Sequence, residues 1–419
     1  MLPIEQALNI ILEHSFALPS EAIGLLDAPE RILREKIIAP WNFPRFSYSA
    51  MDGYAVLLED VLGASNEHPV RLKVTQEIRA SQSSHQPITK GECATIFTGA
   101  EVPPNCDAII MLEHVERDGE WAIFRRPSFK YESIRLEGID ARKGAVLLDE
   151  GTPIGAGEVG LLASIRRAVI NVAQRPRVAI LSCGDELMEL HEEPEAGKII
   201  ESNRFALAAL VKMAGGIPQI LPITKDDPQD IRKQILAGLR ADILISSGGV
   251  SLGDYDLIRP TMEELGVKIH FWKVSIKPGK PVVFGSTSST LVFGLPGNPI
   301  SAMVTFELFV RPTIRKIMGA KNLFHRRIKA VLTAPTMPTK QRYNFVRGHF
   351  KMKDNQATFT PLISQSSGNL LSMKMTDALA ILSPGKNALL AGEEVDVVLL
   401  SFPSLGENEW LPTPELSSH

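Results

Sequence analysis

Four stretches between residues 182 and 301 hold the residue types that manage charge at a ligand. "SCGDEL" sets Asp185 and Glu186 side by side just past a turn glycine. "SSGGVSLGDYD" follows a hydrophobic run with Gly248, Gly249, Ser251 and the acids Asp254 and Asp256. "KVSIKPGKP" presents Lys273, Lys277 and Lys280, and "GLPGNPIS" runs through Pro296, Gly297, Asn298, Pro299 and Ser301. Taken singly, each has an ordinary explanation. Gly-Asp and Gly-Gly turns end many strands, paired acids often face solvent at a helix start, and lysines around Pro-Gly are often charged surface. Their convergence on one sheet edge reads differently. Carboxylates, ammonium groups and small-residue loops together suit a phosphorylated ligand, with a divalent cation between acid and phosphate oxygens. Exposed amides at the helix start beside Ser301 favour an anion there.

The elements that must position these loops are legible from about residue 175 to 322. "RVAILS", "IPQILPI", "ADILISS" and "KIHFWKVSI" read as four strands, and "SNRFALAALVKMAGG", "DPQDIRKQILAGLR" and "DLIRPTMEELG" as the helices between them. Pro228 suits a first helical turn, and the glycines after Ala214 suit a helix end. "TLVFGLPGNPISAMVTFELFVRPTIRKIMG" closes the block as strand, turn and long helix, bent before Pro312. This alternation implies a mostly parallel sheet covered on both faces, with ligands beyond the carboxyl ends of its strands. Residues 40–140 differ: "YAVLLEDV", "VRLKVTQEI", "ECATIFTG" and "DAIIMLEHVERDGEWAIFRR" are short β-type runs, a β-rich insert. From 324 to 404 the strand-like runs recur and imply a small barrel or sandwich, followed by a loose tail.

At 419 residues the chain exceeds a single core of usual size. A net charge of −3 gives no drive toward nucleic acid or anionic membranes. No run approaches the ~18 apolar residues of a span, and the acidic, helix-patterned N-terminus is wrong for a signal peptide. Cys93, Cys106 and Cys183 are odd in number and lack metal-type spacing, so they read as free thiols of a cytoplasmic protein. His114, His270 and His349 sit singly in strand-like runs and read as structural. No phosphate-binding GxxxxGK[ST] loop and no Ser-His-Asp spacing is found. In the insert, "FSYSAMDGYAV" carries Asp52 in an ordinary Asp-Gly turn, and Thr98, Arg135 and Asp140 follow in stretches that show no site by themselves.

Read in order, "SAMDGYAV", "FTGAEVPPNCDAIIMLE", "RLEGIDARKG", "SCGDEL", "SSGGVSLGDYD", "FWKVSIKPGKP" and "GLPGNPISA" resemble the molybdopterin molybdenumtransferases, the MoeA family, whose eukaryotic counterpart is the gephyrin E domain. The resemblance spans essentially the whole chain except its tail. It implies a multidomain α/β plus β subunit: a three-layer molybdopterin-binding α/β domain from 1–19 and 175–323, and a linking domain from 20–38 and 141–174. The β-rich insert would span 39–140, a C-terminal β-barrel 324–404, and a tail 405–419. It further implies an elongated homodimer, with the cleft between the α/β domain of one subunit and the insert of the other. The implied reaction cleaves adenylylated molybdopterin, releases AMP and inserts molybdenum from molybdate. By this resemblance Asp52, Asp140, Glu186, Asp226 and Asp256 place a divalent cation or steer the nucleophile, with Glu186, Asp226 and Asp256 holding the metal, magnesium. Lys273, Lys277 and Lys280 would hold molybdate or phosphate, and Arg347 and Ser367 would reach in from the barrel. Thr98, Arg135, Asp185 and the Pro296–Gly297–Asn298–Pro299 turn with Ser301 would complete the substrate contacts. Gly248, Gly249 and Ser251 would let backbone lie against the pterin phosphate.

Three departures from the family pattern bear on affinity or metal preference: Ser47-Tyr48 where Asp-Asn is usual, Cys183 where Thr is usual, and Glu201 where Asp is common. Implied partners are a second copy, a molybdopterin adenylyltransferase acting one step earlier, and molybdoenzyme maturation factors; nucleic acid and membrane are not among them. Two other readings remain open. A divergent paralogue could insert tungsten or serve as a cofactor-binding scaffold. An adenylyltransferase acting on molybdopterin itself would be a single small domain, so the additional modules argue against it.

Overall fold

The computed structural model describes residues 1–81, 86–249, 257–353, 356–385 and 387–400. Ser251 and Asp256, and the tail, lie outside them. The chain divides into two compact units, one of residues 1–34, 150–159 and 169–419, the other of 35–149 and 160–168.

The first unit is built on a six-stranded sheet in the order Ile217–Ile220, Arg177–Ser182, Ile243–Ser247, Leu291–Leu295, Val283–Ser286, Lys268–Trp272. The first four strands run parallel. The three inner ones, Arg177–Ser182, Ile243–Ser247 and Leu291–Leu295, are near-continuous apolar runs because both faces are covered, whereas the edge strand Ile217–Ile220 is largely exposed. Val178, Ile180, Ile243, Ile245 and Phe293 pack with the helices Ile4–His14 and Asn203–Ala214. Ala179, Leu181, Leu244 and Val292 face the helices Pro228–Gly238 and Ile258–Glu264. Local signals place the helix ends. The Asp227 side chain accepts from the amides of Gln229 and Asp230, with Pro228 in the first turn. Gly215, at φ 101, ends Asn203–Ala214.

Three sequence expectations are corrected here. "KIHFWKVSI" is not one strand: Lys273 takes φ 77, the sheet strand ends at Trp272, and Ile276–Lys277 pairs instead with Tyr343–Asn344. The N-terminus enters the gap, Leu2 N–H donating to the Lys273 carbonyl at 3.0 Å. A further strand, Val283–Ser286, runs antiparallel between Leu291–Leu295 and Lys268–Trp272. Two reversals leave Lys268–Trp272 running with the parallel strands, so the lysine loop still emerges at their carboxyl edge. Finally, the long helix does not run as α to a bend at Pro312. Pro299–Thr305 is α, Phe306–Val310 is π and Arg311–Ile317 is α again. Pro312, which has no amide hydrogen to donate, sits in the first turn after this wide segment.

The C-terminal strands close on themselves. Tyr343–Lys353, Gln356–Pro361, Arg327–Leu332, Glu394–Leu399 and Ala378–Leu382 follow in order, and the last pairs back with the first. This five-stranded barrel is filled by Leu332, Val346, Phe350, Phe359 and Val397. In the second unit a six-stranded sheet runs Ala108–Met111, Gly53–Val56, Glu92–Ile96, Val70–Ile78, Trp121–Phe124, Val115–Asp118. "YAVLLEDV" is strand only to Val56; Leu58–Val61 is a helical turn. The three cysteines are free, as their number and spacing imply. Among the described residues no helix is long and apolar enough to cross a membrane.

One buried network fixes the helix that begins at Asn203. Glu201 and Arg204 are 3% and 2% exposed. The Glu201 carboxylate accepts from the Arg204 amide at 3.0 Å, from Arg204 Nε at 2.9 Å and from Ser182 Oγ at 3.0 Å. Arg204 also reaches the Leu221 carbonyl and Glu189. Ser202, at the start of the helix, makes no side-chain cap; the Glu201 carboxylate takes that place. Arg204→Met strands a buried charge, and should lower urea-denaturation stability by about 3–5 kcal/mol; removing Glu201 together with it should cost less.

Candidate functional site

The carboxyl edge of the parallel sheet gathers its loops through backbone. Cys183 pairs with Thr224 as a continuation of the first strand, and the Gly184 amide donates to the Thr224 carbonyl. This brings Asp185 and Asp226 into a reciprocal arrangement. The Asp226 amide donates to Asp185 Oδ1 at 3.2 Å, and the Asp185 amide to Asp226 Oδ2 at 3.4 Å. The Cys183 thiol takes the other oxygen of Asp226 at 3.1 Å. The Glu186 carboxylate folds over Gly184, where an added Cβ would meet Oε2 at 2.5 Å. Lys198 Nζ donates to the Asp185 carbonyl at 2.7 Å. A cleft of about 800 Å³ opens beside this turn, lined among others by Asp185, Glu189, Lys198 and Lys225.

The next loop leaves Ser247 through Gly248 and Gly249, at φ 87 and 66. A side chain at Gly248 would press on the Cys183 carbonyl, and one at Gly249 would strike Ile258 at 2.4 Å. Gly297 lies against Gly248, its Cβ position 3.5 Å from the Gly248 α-carbon. Glycine is therefore demanded by both conformation and contact. Asn203 ties these turns together: its Nδ2 donates to Ser247 Oγ at 2.9 Å and to the Gly297 carbonyl at 2.7 Å. The sequence reading missed this role, for which an Asn two residues after the capping acid is the only local signal. Pro296, Gly297 and Asn298 form the turn into Pro299–Thr305, and Ser301 is buried in its first turn.

The lysine loop packs on the same helix. Gly279 stands so close to Thr305 that a Cβ would lie 2.3 Å from Cγ2. The Lys280 carbonyl accepts from Val274 and Val282, which folds Lys273 and Lys280 into one short loop, with Lys277 exposed. From the barrel, the Ser367 carbonyl accepts the Ile300 amide at 3.2 Å, so Ser367 does reach the helix start. Arg347 is fully buried rather than presented at the surface. Its Nη2 donates to the carbonyls of Ser364 and Ser366, holding the loop that carries Ser367, while Nε and Nη1 have no partner among the described residues. Burial without a carboxylate lowers its pKa.

The second unit assembles its own cluster. Asp52 Oδ1 accepts from the Thr98 amide at 2.7 Å and from Thr98 Oγ1 at 2.8 Å. Gly53 follows because a Cβ there would lie 2.4 Å from the Ile110 carbonyl oxygen. Arg135 Nη2 pairs with Asp140 Oδ1 at 2.6 Å, and the strand pair Tyr48–Ser49 with Ile134–Arg135 sets Arg135 opposite Tyr48. Tyr48, one of the departures, stands across the ladder from Arg135. Thus Asp52, Thr98, Arg135 and Asp140, unremarkable in sequence, form two bonded pairs joined by one short ladder. Among the described residues no three metal-binding side chains converge.

Three family models match in succession: the MoeA N-terminal region, domains I and II, over residues 2–165; a "probable molybdopterin binding domain" over 179–316; and the MoeA C-terminal region, domain IV, over 329–400. A molybdopterin molybdenumtransferase of Nostoc is 37% identical over 390 residues, 92% of this chain and 89% of its own length. One of Staphylococcus epidermidis is 31% identical over 97% of each chain. The crystal structure of a molybdopterin biosynthesis moeA protein from Pyrococcus horikoshii superposes with TM-score 0.83 at 28% identity, covering 95% of this chain and all of that one.

Two measurements follow from the site. The Thr98 amide and hydroxyl hold the Asp52 pKa below its ordinary value. Thr98→Val removes the hydroxyl bond and should raise the Asp52 pKa toward the usual carboxylate range in a carbon-detected NMR titration. Burial raises the thiol pKa of Cys93 and Cys106 to about 12, and burial with the neighbouring acids raises that of Cys183. The native protein at pH 8 should therefore react slowly with a disulfide reagent, and the unfolded chain should release all three thiols.

Proposed function

The chain belongs to the MoeA family, and from that premise we propose that it inserts molybdenum from molybdate into adenylylated molybdopterin, releasing AMP. Its place in molybdenum cofactor biosynthesis, as a transferase, rests on full-length relatives of that name. The observation carrying the reaction is the placing of three kinds of loop at one sheet edge: the acid turns joined at Asp185 and Asp226, the glycine turns tied by Asn203, and the lysine loop packed through Gly279 on Thr305. Such an edge suits a polyanionic ligand beside a second anion, with donors fixed before the ligand arrives.

Glu186 and Asp226 would hold a magnesium ion together with Asp256. The donor set fits, since magnesium commonly takes one or two carboxylates and completes its shell with water and phosphate oxygens. Bound there, the ion would neutralise charge gathering on phosphate oxygens. The Asp185 amide donates to one oxygen of Asp226 and the Cys183 thiol, a weak donor, to the other, so both orient that carboxylate without neutralising it. Gly248, Gly249 and Ser251 would line the pterin phosphate. Lys273, Lys277 and Lys280 supply cations for molybdate or phosphate, Ser301 and the Pro296–Pro299 turn lie at the same edge, and Arg347 keeps two donors for an anion beside Ser367. Thr98, Asp52, Arg135 and Asp140 would act from the insert of a second copy, in a homodimer. Cytoplasmic residence fits the free thiols.

Purified protein given adenylylated molybdopterin, molybdate and magnesium should release AMP in step with cofactor formation. Asp226→Asn should lower kcat by about 100-fold or more while leaving the fold intact. Absence of AMP release by protein that binds the substrate would sink the proposal; ATP consumption with bare molybdopterin would favour the adenylyltransferase reading instead.

A further inference from the structure

Trp272, the last residue of its strand, carries two cations on its ring. Lys273 Nζ lies 3.8 Å from the indole centroid and Arg259 Cζ 4.9 Å from it. All three side chains are half-buried. Arg259 stands in the first turn of Ile258–Glu264, the helix whose Ile258 packs over Gly249, so it emerges at the same sheet edge as the lysine loop. Among the described residues neither cation has a carboxylate at ion-pair distance.

Two like charges gathered on one ring repel each other, and among the described residues no carboxylate offsets that repulsion. The ring's negative face attracts each of them, but a cation–π contact needs no second cation. Lys273 also holds a left-handed backbone, φ 77, which an unbranched residue away from glycine adopts only under constraint. Strain and repulsion together indicate a group that a bound anion completes. We propose that Arg259 and Lys273, gathered on Trp272, form an anion subsite for the phosphoryl groups of the nucleotide substrate, Arg259 gripping the ligand and Trp272 serving as the positioning residue. This rests on the reading that the substrate is adenylylated. Arg259 suits a phosphoryl group because its planar fork donates two parallel hydrogen bonds to phosphate oxygens, where an ammonium acts as a point charge. Molybdate shares the tetrahedral oxyanion chemistry, so the test separates the two.

The full-length protein is titrated calorimetrically with AMP, with adenylylated molybdopterin and with molybdate, alongside Arg259→Gln, Arg259→Lys, Trp272→Phe and Trp272→Leu, each checked for an unchanged melting transition. Arg259→Gln should raise the Kd for AMP about tenfold, and Arg259→Lys should recover part of the loss. Trp272→Leu should weaken AMP binding more than Trp272→Phe, and molybdate affinity should stay within about twofold in all four. Folded Arg259→Gln that binds AMP as the wild type does overturns the inference, as does a loss confined to molybdate. Wild-type protein that binds neither AMP nor the adenylylated substrate overturns the functional reading and the subsite with it, whereas wild-type binding of both with Arg259→Gln unaltered overturns the subsite alone.

Discussion

The ion pair of Glu201 and Arg204 is the constraint on which the sheet-edge site depends. It is buried, and one carboxylate serves as helix cap, as partner to the guanidinium and as acceptor for Ser182. A pair of this kind contributes little net stability over apolar residues of equal volume. What it does supply is direction. The guanidinium reaches Glu189 and the Leu221 carbonyl, so the acid-rich loop, the end of the second strand and the helix start are fixed to one another. Asn203, one residue before Arg204, then has only one place to send its amide, and that place joins Ser247 to Gly297. The Glu201 departure thus falls in the supporting structure: its oxygens are spent within the protein.

The electrostatics of the edge are divided. Asp185, Glu186 and Asp226 lie on the turns after the first two strands of the chain order, while Lys273, Lys277 and Lys280 lie on a loop at the other side of the sheet. Separation keeps the acids from being neutralised by the lysines before a ligand arrives. Each side stays charged, so the edge presents ammonium groups at one end and carboxylates at the other.

Much of this was legible in the residues. The runs "VAIL" and "ILI" inside the parallel strands are continuously apolar because helices cover both faces, and the caps at Asp227 and Gly215 announce themselves locally. The barrel's short strands were visible too, though not its closure, which depends on Ala378–Leu382 pairing with a strand some thirty residues earlier. Other features were hidden for identifiable reasons. Val283–Ser286 is as apolar as its parallel neighbours, so nothing in its composition reveals its reversed direction. The break at Lys273 is made by a residue that ordinarily continues a strand. Arg347 looks like a surface cation in "NFVRGHF", and only the packing of the barrel buries it. In the insert, Asp52 and Thr98 are far apart in sequence and meet only through the fold, and Arg135 and Asp140, five residues apart, form a pair that no local motif announces. The family resemblance supplied them where spacing could not.

The π-helical turn at Phe306–Val310 has an evolutionary corollary. Such a turn amounts to one surplus residue in an α-helix. Upstream of it, Ser301 is buried in the first turn and Ile300 packs in the core; downstream, Ile314 and Ile317 pack in the same core. A turn of this width absorbs its extra residue locally, so loss of one amino acid within it would return the segment to plain α-helix with the two halves still in phase. Related chains can accordingly differ by one residue between Asn298 and Gly319 and still present the same faces on either side.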